Sequence, residues 1–342
     1  MSRPAVAPAA ADLRSQYRAA TGSAAVAERP DIGRLLFGGG DAADLLHRLS
    51  TNAIKGLSTG QGTATVFTTN KGRIIDLVTL HRIDAGFLAL GAAALIPTLR
   101  EWVDRYTFRE DVTVSDWGAS HRTLGLVGPA AAAHAARLWG SDAADLPRHH
   151  VLRVAAGGAA AWLVRSFPLA GDGYLVTGGA GDWDRIRAAV LAAADGAAAG
   201  RAAEVGPACV EILRVAAGLP AHPHELNEGH NPWEARLHDA ISLDKGCYVG
   251  QEVIARLNTY KKVAKQLVRI AVDGAVPAPG SAVRSGDERI GAITSAVGIP
   301  DGSGRCVALA YVRDEDAAPG SGVTILLAGG RTIPATIEGV AR

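Results

Sequence analysis

The sequence predicts an α+β protein with two ferredoxin-like, split βαβ units and a small C-terminal antiparallel β-barrel. Two observations favour this fold class. The order strand, strand, helix, strand occurs once up to about residue 115 and again from residue 124. Beyond Gln266, short apolar strands alternate with turns at 277–280 and 319–320, which is typical of a small antiparallel barrel.

The first unit is predicted from apolar periodicity and turn residues. After a short N-terminal strand pair, Asp41 is expected to cap a helix in which Leu45, Leu46 and Leu49 share one face. The elements expected after it are a β-branched strand at 63–69, a turn at 70–72, a strand at 73–81, a turn at 84–86, a helix at 92–105 and a strand at 109–115.

The second unit repeats this order. Its expected elements are a strand at 124–127, a helix at 130–139, a hairpin at 151–155 and 160–164, a strand at 173–177 and a helix from 183 to about 194. The resulting division is a loose leader over 1–16, a discontinuous first α+β domain over 17–125 with 205–265, a second α+β domain over 126–204, and the barrel over 266–342.

The composition excludes several classes of protein. Of 342 residues, 48% are hydrophobic and 20% charged, which is too apolar for a disordered chain. A net charge of +1 gives no general attraction to nucleic acid or anionic lipid, and the longest apolar runs are too short to span a membrane. Three widely spaced cysteines argue against a disulfide scaffold or a self-contained metal site. We therefore expect a cytoplasmic monomer with neither nucleic acid nor membrane as a partner.

The segment 245–252, K-G-C-Y-V-G-Q-E, is the strongest candidate for a functional centre. Gly246 precedes Cys247 and Gly250 follows three residues later, so the backbone can fold tightly and let a ligand approach. A thiol in such a turn is expected to be exposed, and the neighbouring cation Lys245 can lower its pKa.

Other groups of this segment add to its chemistry. Gln251 and Glu252 supply an amide and a carboxylate, and we count both among the ligand-contacting candidates. The alternative is that the cysteine packs as a small hydrophobe beside a turn. We favour the reactive interpretation for this position, whereas Cys209 and Cys306 lie in apolar runs and are expected in the core.

Several motifs identify a family resemblance. The runs E-L-N-E-G-H-N-P-W-E-A-R-L (225–237) and I-S-L-D-K-G-C-Y-V-G-Q-E-V-I-A-R-L (241–257) resemble the YgfZ-type folate-binding proteins. Those proteins belong to the superfamily of the glycine cleavage T-protein, an aminomethyltransferase. Similar echoes occur at 124–129, 211–220 and 306–312. The resemblance implies tetrahydrofolate, or a one-carbon-substituted folate, as cofactor, and iron–sulfur client proteins as partners.

A folate site needs groups for the pterin ring and for the anionic tail. Glu234 is the candidate for the donor edge of the pterin, and Trp233 or Tyr248 can form the slot for its face. Trp233 can equally be a packing residue, and Arg256, Lys261, Lys262 and Lys265 can equally belong to a solvated face. The residues expected to meet the tail are Arg214, Arg256, Lys261 and Lys262.

Two departures from the T-protein pattern bear on chemistry. T-proteins carry a glutamate two residues after the arginine of the R-[LIV]-E-A-G motif, where this chain has Ala216, so Glu211, Glu234 or Glu252 would have to replace it. At the early turn only Asp76 remains of an acidic pair, and it is equally readable as an ordinary strand acid. The catalytic candidates are Cys247, Lys245 and Asp76.

Three functions are compatible with these features. The leading hypothesis is a tetrahydrofolate-binding accessory factor that supports assembly or repair of iron–sulfur proteins, with Cys247 as the key thiol. The second is a folate-dependent aminomethyl or methyl transferase, which would make the protein a one-carbon transfer enzyme. The third is a folate-binding module without chemistry. The histidines at 222, 224, 230 and 238 lack the spacing of a metal site, and none is predicted.

Overall fold

The computed structural model describes residues 10–166, 169–192, 202–260 and 262–340. The strands within these ranges are β1 (Ala25–Glu28), β2 (Ile32–Gly38), β3 (Gly62–Thr68), β4 (Ile74–Ile83), β5 (Gly86–Ala92), β6 (Thr113–Asp116), β7 (His121–Gly128), β8 (Val151–Ala156), β9 (Ala159–Arg165), β10 (Asp172–Gly179), β11 (Ala203–Glu204), β12 (Lys265–Asp273), β13 (Ala282–Ser285), β14 (Glu288–Gly298), β15 (Arg305–Arg313), β16 (Gly322–Leu326) and β17 (Thr332–Val340).

The α-helices of the described residues flank the sheets. They are α1 (Ala10–Gly22), α2 (Ala42–Leu49), α3 (Ile96–Arg105), α4 (Ala131–Trp139), α5 (Ser141–Ala144), α6 (Trp183–Ala192), α7 (Pro207–Ala216) and α8 (Gln251–Tyr260).

The first sheet has the strand order β3-β4-β5-β2-β6, with every neighbouring pair antiparallel. Apart from β3 at one edge, the order β4-β5-β2-β6 is that of a split βαβ unit, as the sequence predicts. Helices α2 and α3 cover one face, where Leu45, Leu49, Leu99 and Val103 pack on the sheet. Apolar side chains at helical spacing therefore place both helices on the same face.

The second sheet has the order β11-β1-β7-β10-β9-β8 and repeats the same unit. The difference is β1, which lies between β11 and β7, whereas the sequence suggested a pair formed by β1 and β2. The first three residues of β1 are apolar on both faces, with Val26 in one core and Ala25 and Ala27 in another, so an interior position in the second sheet buries them. The domain boundary expected between residues 125 and 126 lies within β7.

The N-terminal segment is helical from Ala10 onward, which corrects the loose leader expected over 1–16; residues 1–9 lie outside the described residues. Leu13 and Tyr17 follow helical spacing and pack on the apolar clusters beside α7. The side-chain oxygen of Gln16 accepts a hydrogen bond of 2.8 Å from the Gly206 N–H, which ties the helix to the start of α7.

The C-terminal region is a closed barrel, with the order β12-β15-β14-β13-β16-β17. Its interior is filled by aliphatic residues such as Ile270, Val283 and Ile325. Leu267 and Leu309 pack outside the barrel against Ile212 of α7. The α+β class with a small antiparallel barrel is confirmed.

The two sheets face each other across a small apolar contact. Ile83, Leu88 and Leu90 of the first sheet meet Val164 and Leu175 of the second. Because α2, α3, α4 and α6 cover the opposite faces, the space beside this contact is enclosed by both sheets and by α7.

Candidate functional site

A cavity of about 520 Å³ lies between the two sheets and is closed on one side by α7. This volume falls within the range of roughly 300–1,000 Å³ that small-molecule sites occupy. Its walls are predominantly apolar, with a few charged groups. The apolar lining residues include Ala64, Leu77, Leu90, Val164, Leu169, Leu175, Val210, Leu219, Leu226 and Leu237.

Asp76 on β4 lines this cavity and is only 1% exposed. One carboxylate oxygen accepts a hydrogen bond of 2.9 Å from the Ala92 N–H. Burial raises the pKa of Asp76 to about 7, because desolvation outweighs this bond and a second one from the Leu77 N–H. Gly91 makes room for the carboxylate, since a Cβ there would lie 2.5 Å from it. The cavity thus holds an acid that can exchange a proton near neutral pH.

Further charged residues line the same space. Arg29 forms a bidentate pair with Asp31, with Nε donating to Oδ1 at 2.9 Å and Nη2 donating to Oδ2 at 2.7 Å. Arg148 lies 3.7 Å from Asp239, and Arg236 donates to the Gln266 side chain. These guanidinium groups sit where an anionic part of a ligand can be met by charge-assisted hydrogen bonds.

Arg214 also lines the cavity, but its donors are committed to the protein. Nε and Nη2 donate to Glu211 at 2.8 and 2.6 Å, and Nη2 also donates to Ser295 at 2.8 Å. Nη1 donates to the Leu219 carbonyl at 2.7 Å and to Glu225 at 3.0 Å. All five N–H groups of a guanidinium are therefore engaged, so Arg214 joins α7 to the barrel and is not a contact for a ligand tail.

The two positions that lack a T-protein acid lie away from the cavity; they are Ala216 and Ile75, the residue that stands before Asp76 in place of the first acid of the pair. Ile75 packs with α2 and α3 in the core of the first unit, and Ala216 packs toward the barrel, where its carbonyl accepts from Arg269. Neither residue lines the cavity. Of the acids proposed to compensate for Ala216, only Glu211 lines it; Glu234 and Glu252 do not.

Glu234 stabilises a local turn instead of contacting the cavity. Its Oε2 accepts from the Asn231 N–H at 3.0 Å, while Asn231 Oδ1 accepts from the N–H groups of Trp233 and Glu234 at 3.0 Å each. This reciprocal arrangement is a capping box. The expected pterin contact is therefore a structural residue.

The aromatic slot expected from Trp233 and Tyr248 is filled by protein. Both rings are less than 9% exposed and form one cluster with Ile241 and Ile254. The indole N–H of Trp233 donates to the Ile254 carbonyl at 2.8 Å. These residues fix α8 to the loop 241–250 and do not line the cavity.

Lys245 is buried beneath the cysteine loop. Its Nζ donates to the carbonyls of His47, Ser50 at 2.6 Å and Asn52 at 2.9 Å, around the C-terminal end of α2. Burial lowers the pKa of Lys245 to about 7, whereas three carbonyls and the helix C-terminus favour the charged form. All three N–H donors are bonded to backbone carbonyls, so Lys245 has none left to donate to the thiol.

Cys247 is exposed between two buried anchors, Lys245 and Tyr248. Gly250 holds the loop close to the turn after β3: its φ is +86°, and a Cβ there would lie 2.6 Å from the Thr69 carbonyl. The Thr68 hydroxyl donates to the Val249 carbonyl at 2.8 Å. A firmly held loop thus presents the thiol to solvent.

The remaining candidates sit on or beside α8, outside the cavity lining. Gln251 is half-buried, and Glu252, Arg256 and Lys262 are exposed. Lys261 lies outside the described residues. The K-G-C-Y-V-G-Q-E segment therefore does not line the cavity. Of the sequence candidates that the structure describes, Asp76, Arg214 and Glu211 line it.

Lys245→Met is expected to lower the free energy of unfolding by about 1–3 kcal/mol, because three carbonyls at the end of α2 lose their donor. It should also loosen the loop, so that Cys247 reacts faster with a thiol reagent. Chemical denaturation and the rate of thiol labelling measure the two effects. Lys245→Arg is the matched control that keeps the charge; unchanged stability and labelling in Lys245→Met would contradict this role.

Two α+β units around a cavity, with a barrel behind them, define the structural class, and comparison with known proteins gives the family. The GCVT N-terminal domain matches residues 4–245, and the glycine cleavage T-protein C-terminal barrel domain matches 265–340. The chain therefore belongs to this aminomethyltransferase-like family, which confirms the superfamily implied by the sequence motifs.

Individual relatives agree with this assignment. A chloroplastic protein of Arabidopsis thaliana named as a transferase is 30% identical over 311 residues, covering 88% of this chain and 68% of its own. An aminomethyltransferase of Rubrobacter xylanophilus is 29% identical over 307 residues, covering 89% and 80%. The structure of the glycine cleavage system aminomethyltransferase T from Bartonella henselae superposes with a TM-score of 0.80 at 20% identity, covering 95% and 88%, and so shares the fold.

The described residues were also compared with the requirements of a membrane-spanning helix and of a metal site. Among the described residues, no helix is both long and apolar enough to cross a membrane. In the same part of the chain, no group of three or more histidine, cysteine or acidic side chains is arranged to hold a metal ion.

Sequence reasoning missed Arg29, Arg148, Arg236 and Thr79 as cavity residues. For Thr79 a signal existed, since it alternates with the apolar residues of β4. The arginines carry no comparable local pattern, because distant segments bring them to one space.

Proposed function

We propose that this chain is a tetrahydrofolate-binding accessory factor that supports the assembly or repair of iron–sulfur proteins. The observation that carries the folate part is the cavity between the two sheets, with the buried acid Asp76 in its wall. Relatives named as aminomethyltransferases support the same ligand class.

The donor set of the cavity fits a reduced folate. A flat, partly apolar ring suits the aliphatic walls, and Asp76 offers a carboxyl group to a ring or bridge nitrogen. Arg29, Arg148 and Arg236 can meet the carboxylates of the glutamate tail. Bound there, a folate would supply nitrogen atoms able to carry a one-carbon unit.

The accessory role is proposed from the position of Cys247. Its thiol is exposed on an anchored loop, and the loop does not line the cavity. With Cys209 and Cys306 buried, the chain presents a single exposed thiol, which is too few ligands for a cluster of its own. In this proposal the thiol meets a client protein, as one ligand or as a nucleophile, in the cytoplasm.

A second candidate function is folate-dependent aminomethyl or methyl transfer. The specific observation favouring it is Asp76, whose pKa near 7 suits an acid or base that moves a proton at an amine nitrogen. The residues that depart from the T-protein pattern, Ile75 and Ala216, remove no group from the cavity. Formation of 5,10-methylenetetrahydrofolate from an aminomethylated lipoyl carrier would establish this function.

Two variants test the proposed function at its separate surfaces. Ala221→Trp, at a half-buried cavity position, is expected to reduce tetrahydrofolate binding at least tenfold in calorimetry while leaving the labelling of Cys247 unchanged. Cys247→Ser is expected to bind folate like the unsubstituted chain, yet fail to restore iron–sulfur enzyme activity in a strain that lacks the protein.

The outcomes separate the hypotheses. Full restoration by Cys247→Ser would refute the thiol's role and leave folate binding standing. Absence of tetrahydrofolate binding to the unsubstituted chain would refute the folate part. Cys247→Ala is the matched control, because it removes the thiol without adding a hydroxyl group.

A further inference from the structure

A buried histidine determines the hydrogen-bonding character of one cavity residue, Thr79. Thr79 on β4 lines the cavity and is 9% exposed. His81, two residues further along the strand, is completely buried. Its Nε2 lies 2.9 Å from the Thr79 hydroxyl oxygen, and its Nδ1 lies 2.8 Å from the carbonyl oxygen of His149.

These contacts fix the tautomer of His81. A carbonyl oxygen only accepts, so Nδ1 must carry a hydrogen and donate it to His149. Burial lowers the pKa of His81 to about 4, so the ring is neutral at physiological pH and Nε2 holds a lone pair. The Thr79 hydroxyl must therefore donate its hydrogen to Nε2.

The consequence is a hydroxyl group with no hydrogen left to give. The other acceptor near Thr79, the Leu90 carbonyl, lies 3.5 Å away, which is long for an O–H···O bond. If the hydroxyl donated there, Nε2 would be buried without a donor, which costs free energy. The oxygen of Thr79, a residue that lines the cavity, therefore has only lone pairs to offer to a ligand.

The surrounding backbone is built to hold this arrangement. His149 has a φ of +64°, an uncommon conformation for a residue with a side chain. Residue 62 must be glycine, because a Cβ there would lie 2.0 Å from the His149 carbonyl oxygen and 2.7 Å from Nδ1 of His81. Both features allow the His149 carbonyl of the second α+β unit to approach the ring of His81 in the first unit.

Resting on the proposed folate function, we infer that Thr79 is a ligand-recognition residue that acts only as a hydrogen-bond acceptor. His81 is the positioning residue that keeps it so. The cross-strand neighbours of Thr79, Ala64 and Leu90, are apolar on the cavity side. The site therefore selects a ligand that places a ring or amino N–H at this point, as the nitrogen-rich ring of a reduced pterin does.

Calorimetry with tetrahydrofolate tests the recognition. Thr79→Val keeps the shape but removes the acceptor, and is expected to weaken binding about tenfold, because the ligand N–H loses its partner. Thr79→Ser keeps the hydroxyl and is expected to bind within threefold of the unsubstituted chain. Equal binding by Thr79→Val would overturn the inference, whereas no binding by the unsubstituted chain would overturn the proposed function itself.

Nuclear magnetic resonance tests the role of His81 without any ligand. The nitrogen-15 signals of the ring are expected to show a protonated Nδ1 and an unprotonated Nε2 at pH 7. The signal is identified by its loss in His81→Phe, provided that this variant folds, or otherwise by through-bond assignment in the unsubstituted chain. A protonated Nε2 would overturn the inference, because Thr79 would then be free to donate.

Discussion

Asp76→Asn is expected to gain stability relative to the unsubstituted chain as the pH rises. Between pH 3.5 and pH 8, the difference in free energy of unfolding between the two proteins should shift in favour of Asp76→Asn by up to about 4 kcal/mol. In the folded protein the pKa of Asp76 is about 7, against 3.8 for an unperturbed carboxyl group. Each unit of difference corresponds to about 1.4 kcal/mol. Chemical denaturation at a series of pH values measures the effect.

The sign follows from proton binding. Between pH 3.8 and 7 the unfolded chain releases the proton of Asp76 while the folded chain keeps it, so stability falls as pH rises through this window. Asparagine does not titrate, and its side-chain oxygen can still accept from the Ala92 N–H. Asp31→Asn serves as a control for a cavity acid that is paired with an arginine. If the difference in free energy of unfolding between Asp76→Asn and the unsubstituted chain does not change with pH, the pKa of Asp76 is not raised in the folded protein.

Arg214→Met is expected to lower the free energy of unfolding by about 3–5 kcal/mol, because it leaves a buried carboxylate without its cation. Glu225 is fully buried and lies 3.0 Å from Arg214. Burial opposes charge on Arg214, but its bonds to Glu211 and Glu225 outweigh this effect and raise its pKa. Denaturant-induced unfolding is the measurement.

A double-mutant cycle provides the control. Arg214→Met combined with Glu225→Gln removes both charges, and the double variant is expected to lose less stability than the sum of the single changes. Strict additivity would show that Arg214 and Glu225 act independently. Arg214→Lys keeps the charge but has fewer donors than the five bonds require. Its free energy of unfolding should therefore lie between those of Arg214→Met and the unsubstituted chain.

The fold class followed from the sequence because it depends on local patterns. Periodic leucines in α2, β-branched runs and Gly/Pro turns each reflect short-range chemistry, and they gave the two units and the barrel. The insertion of β1 beside β7 escaped this reasoning, since strand partners far apart in sequence leave no local mark.

The site was predicted less well, for a related reason. An unusual polar segment such as 225–252 indicates that its residues have specific roles, but it does not show whether those roles are structural or functional. Lys245 and Glu234 are constrained by helix and turn ends, and the spacing Asn231-x-x-Glu234 is itself that of a capping box. Asp76 does line the cavity, together with Leu77 and Thr79 of the same strand, and its role there stays a prediction.

The place of β1 has a consequence for how the molecule is made. A ribosome delivers residues 25–28 long before residues 121–128 and 203–204, the two strands that flank them. The first unit can close while synthesis continues, but β1 must wait for some 175 further residues before its second edge is paired. Such long-range pairing slows folding. The nascent chain therefore carries β1 with an unpaired edge for about half of its synthesis, and unpaired strand edges make folding intermediates prone to aggregate.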